Sequence, residues 1–167
     1  FSGESWNPRD RCPAPHTYRD LSSTNYRLLR VHTYMLALTP IQNGRMTQQI
    51  QHNQIEANGV NFSYLECGSG PIAFCVHGFP DSAHTWRYLM PELAQAGFRA
   101  IAPFTRGYAP TSLAPDDCYQ TGARAADVNA LHEALGGDEN AVLIGHDWGA
   151  STAYIAACNA NQRWRRV

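Results

Sequence analysis

The stretch Ala141-Val142-Leu143-Ile144-Gly145-His146-Asp147-Trp148-Gly149-Ala150 passes from a short apolar run, through a polar turn, into a segment with small residues at Gly149, Ala150, Ala153 and Ala157. The apolar run has the pattern of a strand buried on both faces. The small residues suit a helix from about Trp148 to Asn159 that lies close against a sheet. Between the two, Gly145-His146-Asp147-Trp148-Gly149 fits Gly-x-nucleophile-x-Gly in the strand-to-helix context that gives the pattern meaning. So sharp a turn brings the flanking backbones too close for side chains, hence glycine two residues either side. The central residue takes a strained conformation and is lifted above the sheet. It then faces a helix N-terminus, whose free N–H groups and dipole favour an anion.

Aspartate in the central position implies its own chemistry. A serine must lose a proton before it attacks, whereas the Asp147 carboxylate is already ionised at neutral pH and can displace a leaving group from saturated carbon. The product is an alkyl ester on Asp147, which water activated by a histidine would hydrolyse through a tetrahedral oxyanion. Read alone, the five residues are better explained as a loop whose aspartate caps a helix. A second motif changes that reading.

His77-Gly78-Phe79-Pro80 directly follows another buried run, Pro71-Ile72-Ala73-Phe74-Cys75-Val76. A loop at this place supplies one backbone N–H to an oxyanion hole, and the residue after the nucleophile supplies the other. The expected donors are Phe79 and Trp148. Gly78 lets the backbone approach the site, and Pro80 stiffens the loop without removing the Phe79 donor. His77 is read as structural, an imidazole bonded to neighbouring backbone, because the catalytic histidine of such a plan comes late in the chain.

Outward from these motifs, Asn58-Gly59 between alternating segments is the strongest short-range hairpin signal, so two antiparallel strands are expected to open the domain at Gln54. Short helices are expected over 83–90 and 91–96, with Gly97 ending the second, then a strand at Arg99-Ala100-Ile101-Ala102 and a long loop over 103–117. Val128, Leu131 and Leu135 form one stripe of a helix that Gly136-Gly137 terminates. Alternating strands and helices of this kind argue an α/β fold with a mostly parallel sheet and helices on both faces. Residues 1–53 keep neither period and are expected to form an irregular or disordered extension, with 34–38 the only run able to pack. The final residues, Arg165-Arg166-Val167, read as the run-in to a further strand.

With 44% hydrophobic residues, 16% charged and a formal charge of -1, the chain lacks the basic excess of a nucleic-acid or anionic-membrane partner. No run approaches the ~20 apolar residues of a membrane span. The cysteines at 12, 67, 75, 118 and 158 are scattered without zinc-ligand spacing and are read as reduced thiols, mostly in the core. No metal or cofactor is expected, and the cytoplasm is the default compartment.

Taken in order, His77-Gly78-Phe79-Pro80, Trp86, Arg106-Gly107-Tyr108 and Gly145-His146-Asp147-Trp148-Gly149-Ala150 resemble the first half of the α/β-hydrolase superfamily over 54–167. The branch is that of epoxide hydrolases and haloalkane dehalogenases. The resemblance implies attack by Asp147 on a small apolar epoxide or alkyl electrophile, with water completing the reaction. It also implies that the last strands, the lid with its tyrosines, and the triad's acid and histidine lie beyond these residues, so that turnover by this chain alone is not expected. Haloalkane dehalogenases usually carry Asn or Glu after His-Gly to hold the halide, and this chain has Phe79, which favours the epoxide. The alternatives are a dehalogenase or other hydrolase, and a non-catalytic binding protein that keeps the elbow. One departure stands out: the family's Pro-Asp-x-Arg-Gly-Tyr-Gly loop reads Pro103-Phe104-Thr105-Arg106-Gly107-Tyr108-Ala109 here.

Overall fold

The computed structural model describes residues 49–160 and 162–167. The run 34–38 and nearly all of the expected N-terminal extension lie outside them. The first strand, β1 (Gln51–Ala57), opens at Gln51 where the sequence reading began it at Gln54. It pairs antiparallel with β2 (Val60–Gly68), Ala57 opposite Val60, across a turn in which Asn58 and Gly59 both have positive φ (49° and 71°). That is the combination a two-residue hairpin of this twist requires.

β3 (Ile72–Val76) is buried along its whole length. A 3-10 turn over Ala83–Arg87 follows it, in place of the longer helix expected there, and then α1 (Leu89–Gln95). Pro91 sits in the first turn of α1, where its missing N–H costs nothing, and Gly97 leaves the helix at φ 86°. β4 (Arg99–Pro103), α2 (Thr121–Ala134), β5 (Val142–Gly145) and α3 (Trp148–Asn159) complete the order.

The sheet runs β1-β2-β4-β3-β5. β3 is parallel to both neighbours, while β2 is antiparallel to β1 and to β4, so among the described strands only β2 runs against the rest. The two sheet faces carry separate cores. Ile72, Phe74, Val76 and Ile101 pack with Val128 and Leu131 of α2 and with Ala153 and Ala156 of α3. On the other face Cys75, Ala100 and Ala102 pack with Met90 and Ala94 of α1. The period-2 alternation of each strand thus feeds helices on both faces, the layering expected from the sequence.

β3 leaves to β4 on one side, and the chain later crosses to β5 on the other. Beside β3 the winding direction changes, which opens a crevice at the C-terminal ends of β3 and β5. His77-Gly78-Phe79 follows β3 and His146-Asp147 follows β5, so the two motifs meet there. The outer edge of β5 is engaged at one parallel bridge, Val142 to Arg166, with Leu143 N–H donating to the Arg166 carbonyl at 2.9 Å. The C-terminal residues thus meet the β5 edge at a single bridge and form no strand among the described residues.

Cys75 and Cys158 are free thiols, and burial pushes the Cys75 thiol up to about 12, the behaviour of an inert core residue. Cys118 is disulfide-bonded, which corrects the reading of all five cysteines as thiols. No helix among the described residues is long and apolar enough to cross a membrane.

Candidate active site

Asp147 is the second of the two residues between β5 and α3, with φ 53° and ψ -122°. Its neighbours explain why glycine flanks it. A side chain at Gly145 would collide with the backbone of Gly149 and Ala150, and one at Gly149 with the carbonyls of Val76 and His77. The same holds across the crevice, where a Cβ on Gly78 would stand 2.5 Å from the Cβ and Oδ1 of Asp147. These three glycines let two loops and a helix end close on one carboxylate.

The contact they permit is a hydrogen bond from the Phe79 backbone N–H to Asp147 Oδ1, 2.9 Å long. That N–H first, and the Trp148 N–H second, hold the Asp147 carboxyl below the usual carboxylate range against an opposing effect of burial, and His146 and Arg124 add lesser contributions in the same downward direction. Asp147 is exposed to solvent. The rings of Phe79 and Trp148 stack with centroids 5.1 Å apart and are 60% and 48% exposed, an apolar surface beside the carboxylate. The Phe79–Pro80 peptide bond is cis.

His77 is buried, as the sequence reading of it as structural requires. Its Nε2 accepts from the Thr105 backbone N–H at 3.1 Å, which leaves the proton on Nδ1 to donate to the Gly78 carbonyl at 3.0 Å. Tyr108 meets the ring edge-on at 4.6 Å. Burial, outweighing the Gly78 carbonyl, lowers the pKa of His77. It therefore stands neutral and fastens the Gly78-Phe79 turn to the β4 end. His146 is exposed, with Nδ1 4.0 Å from Asp81 Oδ2.

The loop after β4 is anchored by Arg106, whose side chain is 1% exposed. It bonds both oxygens of Asp127 (2.6 and 2.7 Å), Asp116 at 2.9 Å and the Cys118 carbonyl at 2.6 Å. Asp116, in the loop between β4 and α2, is thereby part of this largely buried pairing. Sequence reasoning also passed over Arg124 of α2, whose guanidinium lies 5.0 Å from the centre of the Trp148 ring. Three or more His, Cys, Asp or Glu arranged to hold a metal do not occur among the described residues.

Residues 72–167 match the family model described as alpha/beta hydrolase fold. The chain is 40% identical over 123 residues to an epoxide hydrolase of Caballeronia sordidicola, covering 73% of this chain and 37% of that protein. It is 38% identical over 106 residues to epoxide hydrolase A of Mycobacterium tuberculosis, covering 61% of this chain and 32% of the relative. Among solved structures, an epoxide hydrolase from an endophytic Streptomyces superposes with a TM-score of 0.64 at 38% identity, over 69% of this chain and 35% of that one. An epoxide hydrolase of Vigna radiata gives 0.65 at 32% identity, over 69% and 37%. The chain thus spans little more than a third of the proteins it resembles.

Proposed function

The chain belongs to the alpha/beta hydrolase family, and from that premise we propose that it carries the nucleophilic half of an epoxide-opening hydrolase, with Asp147 as the attacking carboxylate. The observation that carries this reading is the Phe79 N–H bond to Asp147 Oδ1 at 2.9 Å. It ties down one carboxylate oxygen and leaves the other free to attack. A free Oδ2 adding to an epoxide carbon breaks that carbon's bond to the ring oxygen. The alkoxide released takes up a proton, and an alkyl ester remains on Asp147. Water adding to the ester carbon then places negative charge on Oδ1, the atom already facing Phe79 N–H and Trp148 N–H. Collapse releases the diol and restores the carboxylate.

The second half of that sequence needs a base. Among the described residues His77 has both ring nitrogens engaged, and the Nδ1 of His146 faces Asp81. Neither is placed as a base for water, so the base belongs to another part of the enzyme, as the family resemblance implies. The chain should accordingly form the ester and keep it. The stacked Phe79 and Trp148 rings favour a small apolar electrophile. Phe79 also offers no polar side chain for a departing halide, which supports the epoxide over the haloalkane.

Incubating the chain with excess styrene oxide at neutral pH and reading its intact mass tests the proposal. One adduct is expected, mapping to the peptide that holds Asp147 and missing in Asp147→Asn. An unlabelled chain, or labelling that Asp147→Asn leaves intact, would favour the reading in which the elbow survives in a binding protein.

A further inference from the structure

Arg106, in the loop after β4, and Arg124, on α2, are treated very differently. Arg106 is saturated by two carboxylates and a carbonyl. Arg124 has no carboxylate partner among the described residues. Its Nε is buried without a hydrogen-bond partner, and the one bond its guanidinium makes, to Thr121 Oγ1, is 3.4 Å long. A guanidinium has five donors and stays charged in proteins, so leaving it half-buried and unpaired is costly. The helix gains nothing in return, since Arg124 lies near the N-terminus of α2, where the dipole disfavours a cation.

What Arg124 does have is the Trp148 ring at 5.0 Å and the negative field of Asp147, the residue next to that ring. We propose that Arg124 is a positioning residue for the reaction at Asp147: laid over the Trp148 ring, its unpaired guanidinium holds a fixed positive charge beside the attacking carboxylate, adding to the two backbone N–H groups that face it. This rests on the reading of Asp147 as the nucleophile. Of the other groups around Asp147, only His146 also acts as a cation on it. The Phe79 and Trp148 N–H groups are neutral dipoles, His77 is buried and neutral, and Tyr108 carries no positive charge. His146 is exposed and has Asp81 beside it. Burial lowers the affinity of Arg124 for its own proton, while Tyr108 and Asp147 oppose that, which fits a cation set in place for its neighbours.

The experiment is a direct titration of the Asp147 carboxyl by carbon NMR in the 167-residue chain, assigned with Asp147→Asn. In the unmodified chain the midpoint should lie below the usual carboxylate range. In Arg124→Met it should rise by about half a pH unit or more, and Arg124→Lys should return most of that shift. An Arg124→Met chain that titrates at the unmodified midpoint overturns the inference. Should that variant fail to fold, the unmodified chain still decides. Its midpoint should climb as salt rises from about 0.02 to about 0.5 M, because an exposed carboxylate facing a cation is screened, and a midpoint indifferent to salt overturns the inference too. The two readings fail separately. An unlabelled chain sinks the nucleophile assignment and leaves the titration to be read on its own. Normal labelling with an unmoved midpoint sinks only the role of Arg124.

Discussion

Replacing Arg106 by methionine should be among the most damaging changes available outside the crevice. The substitution keeps much of the apolar stem and removes a guanidinium that bonds Asp127 twice, Asp116 and the Cys118 carbonyl. Asp127, whose side chain is 4% exposed, would keep only the Asn58 amide at 2.8 Å as a compensating donor. A buried carboxylate stripped of its charge partner costs about 3–5 kcal/mol, a large part of the ~5–15 kcal/mol that holds an ordinary domain together. At about 4 °C per kcal/mol for a chain of this size, the melting midpoint should fall by about 10–20 °C.

Circular dichroism melts of the unmodified chain, Arg106→Met and Arg106→Met/Asp127→Leu check this. The double variant removes the stranded charge along with its partner, so it should melt well above the single one. Lowering the pH should also narrow the gap between Arg106→Met and the unmodified chain. A lone buried carboxylate has its pKa raised, and protonation below that raised value relieves the penalty. A single variant that melts within about 3 °C of the unmodified chain would refute the view that this pairing holds the loop after β4.

Other consequences are read more simply. Gly78→Ala forces its Cβ against Asp147 and displaces the Phe79 N–H, so ester formation with styrene oxide should slow by about a hundredfold, the usual cost of one such donor, in a single-turnover mass assay. Labelling of Asp147 should fall to half its neutral-pH rate only below the ordinary carboxylate value of about 3.9, because the two N–H groups hold its folded pKa down; a half-rate point above that value would contradict this. His77 has a folded pKa depressed by burial, so its contribution to stability is present above about pH 6.5 and is lost as pH falls through the lower folded value. Acid melts should therefore be less steep for His77→Gln than for the unmodified chain. Gly149→Ala drives a methyl into the Val76 carbonyl and should lower the melting midpoint even though alanine is the better helix former.

The features legible in the sequence were those fixed by local geometry. Asn58-Gly59 announced the hairpin because both residues must take positive φ, and Gly97 announced the end of α1 for the same reason. The buried strands β3 and β5 showed as short apolar runs. The elbow showed because a turn that tight tolerates only glycine at 145 and 149. What stayed hidden depends on residues far apart in the chain. Asp116 reads as a loop residue until the fold brings Arg106 to it, and nothing near Arg124 in the sequence signals that it will lie over Trp148. The extent of the 3-10 turn at Ala83–Arg87 was equally unreadable, since a single turn has no period to detect. Local rules thus located the carboxylate, and long-range packing set the charges around it.

Asp147 stands at φ 53°, ψ -122°, a conformation that suits glycine and strains any residue bearing a Cβ. Against that strain stands the hydrogen bond from Phe79 N–H to the carboxylate. Asp147→Gly relieves the strain and should melt at a higher temperature than the unmodified chain while losing all capacity to be labelled. On the proposed reading of Asp147 as the nucleophile, stability is traded for reactivity at this position.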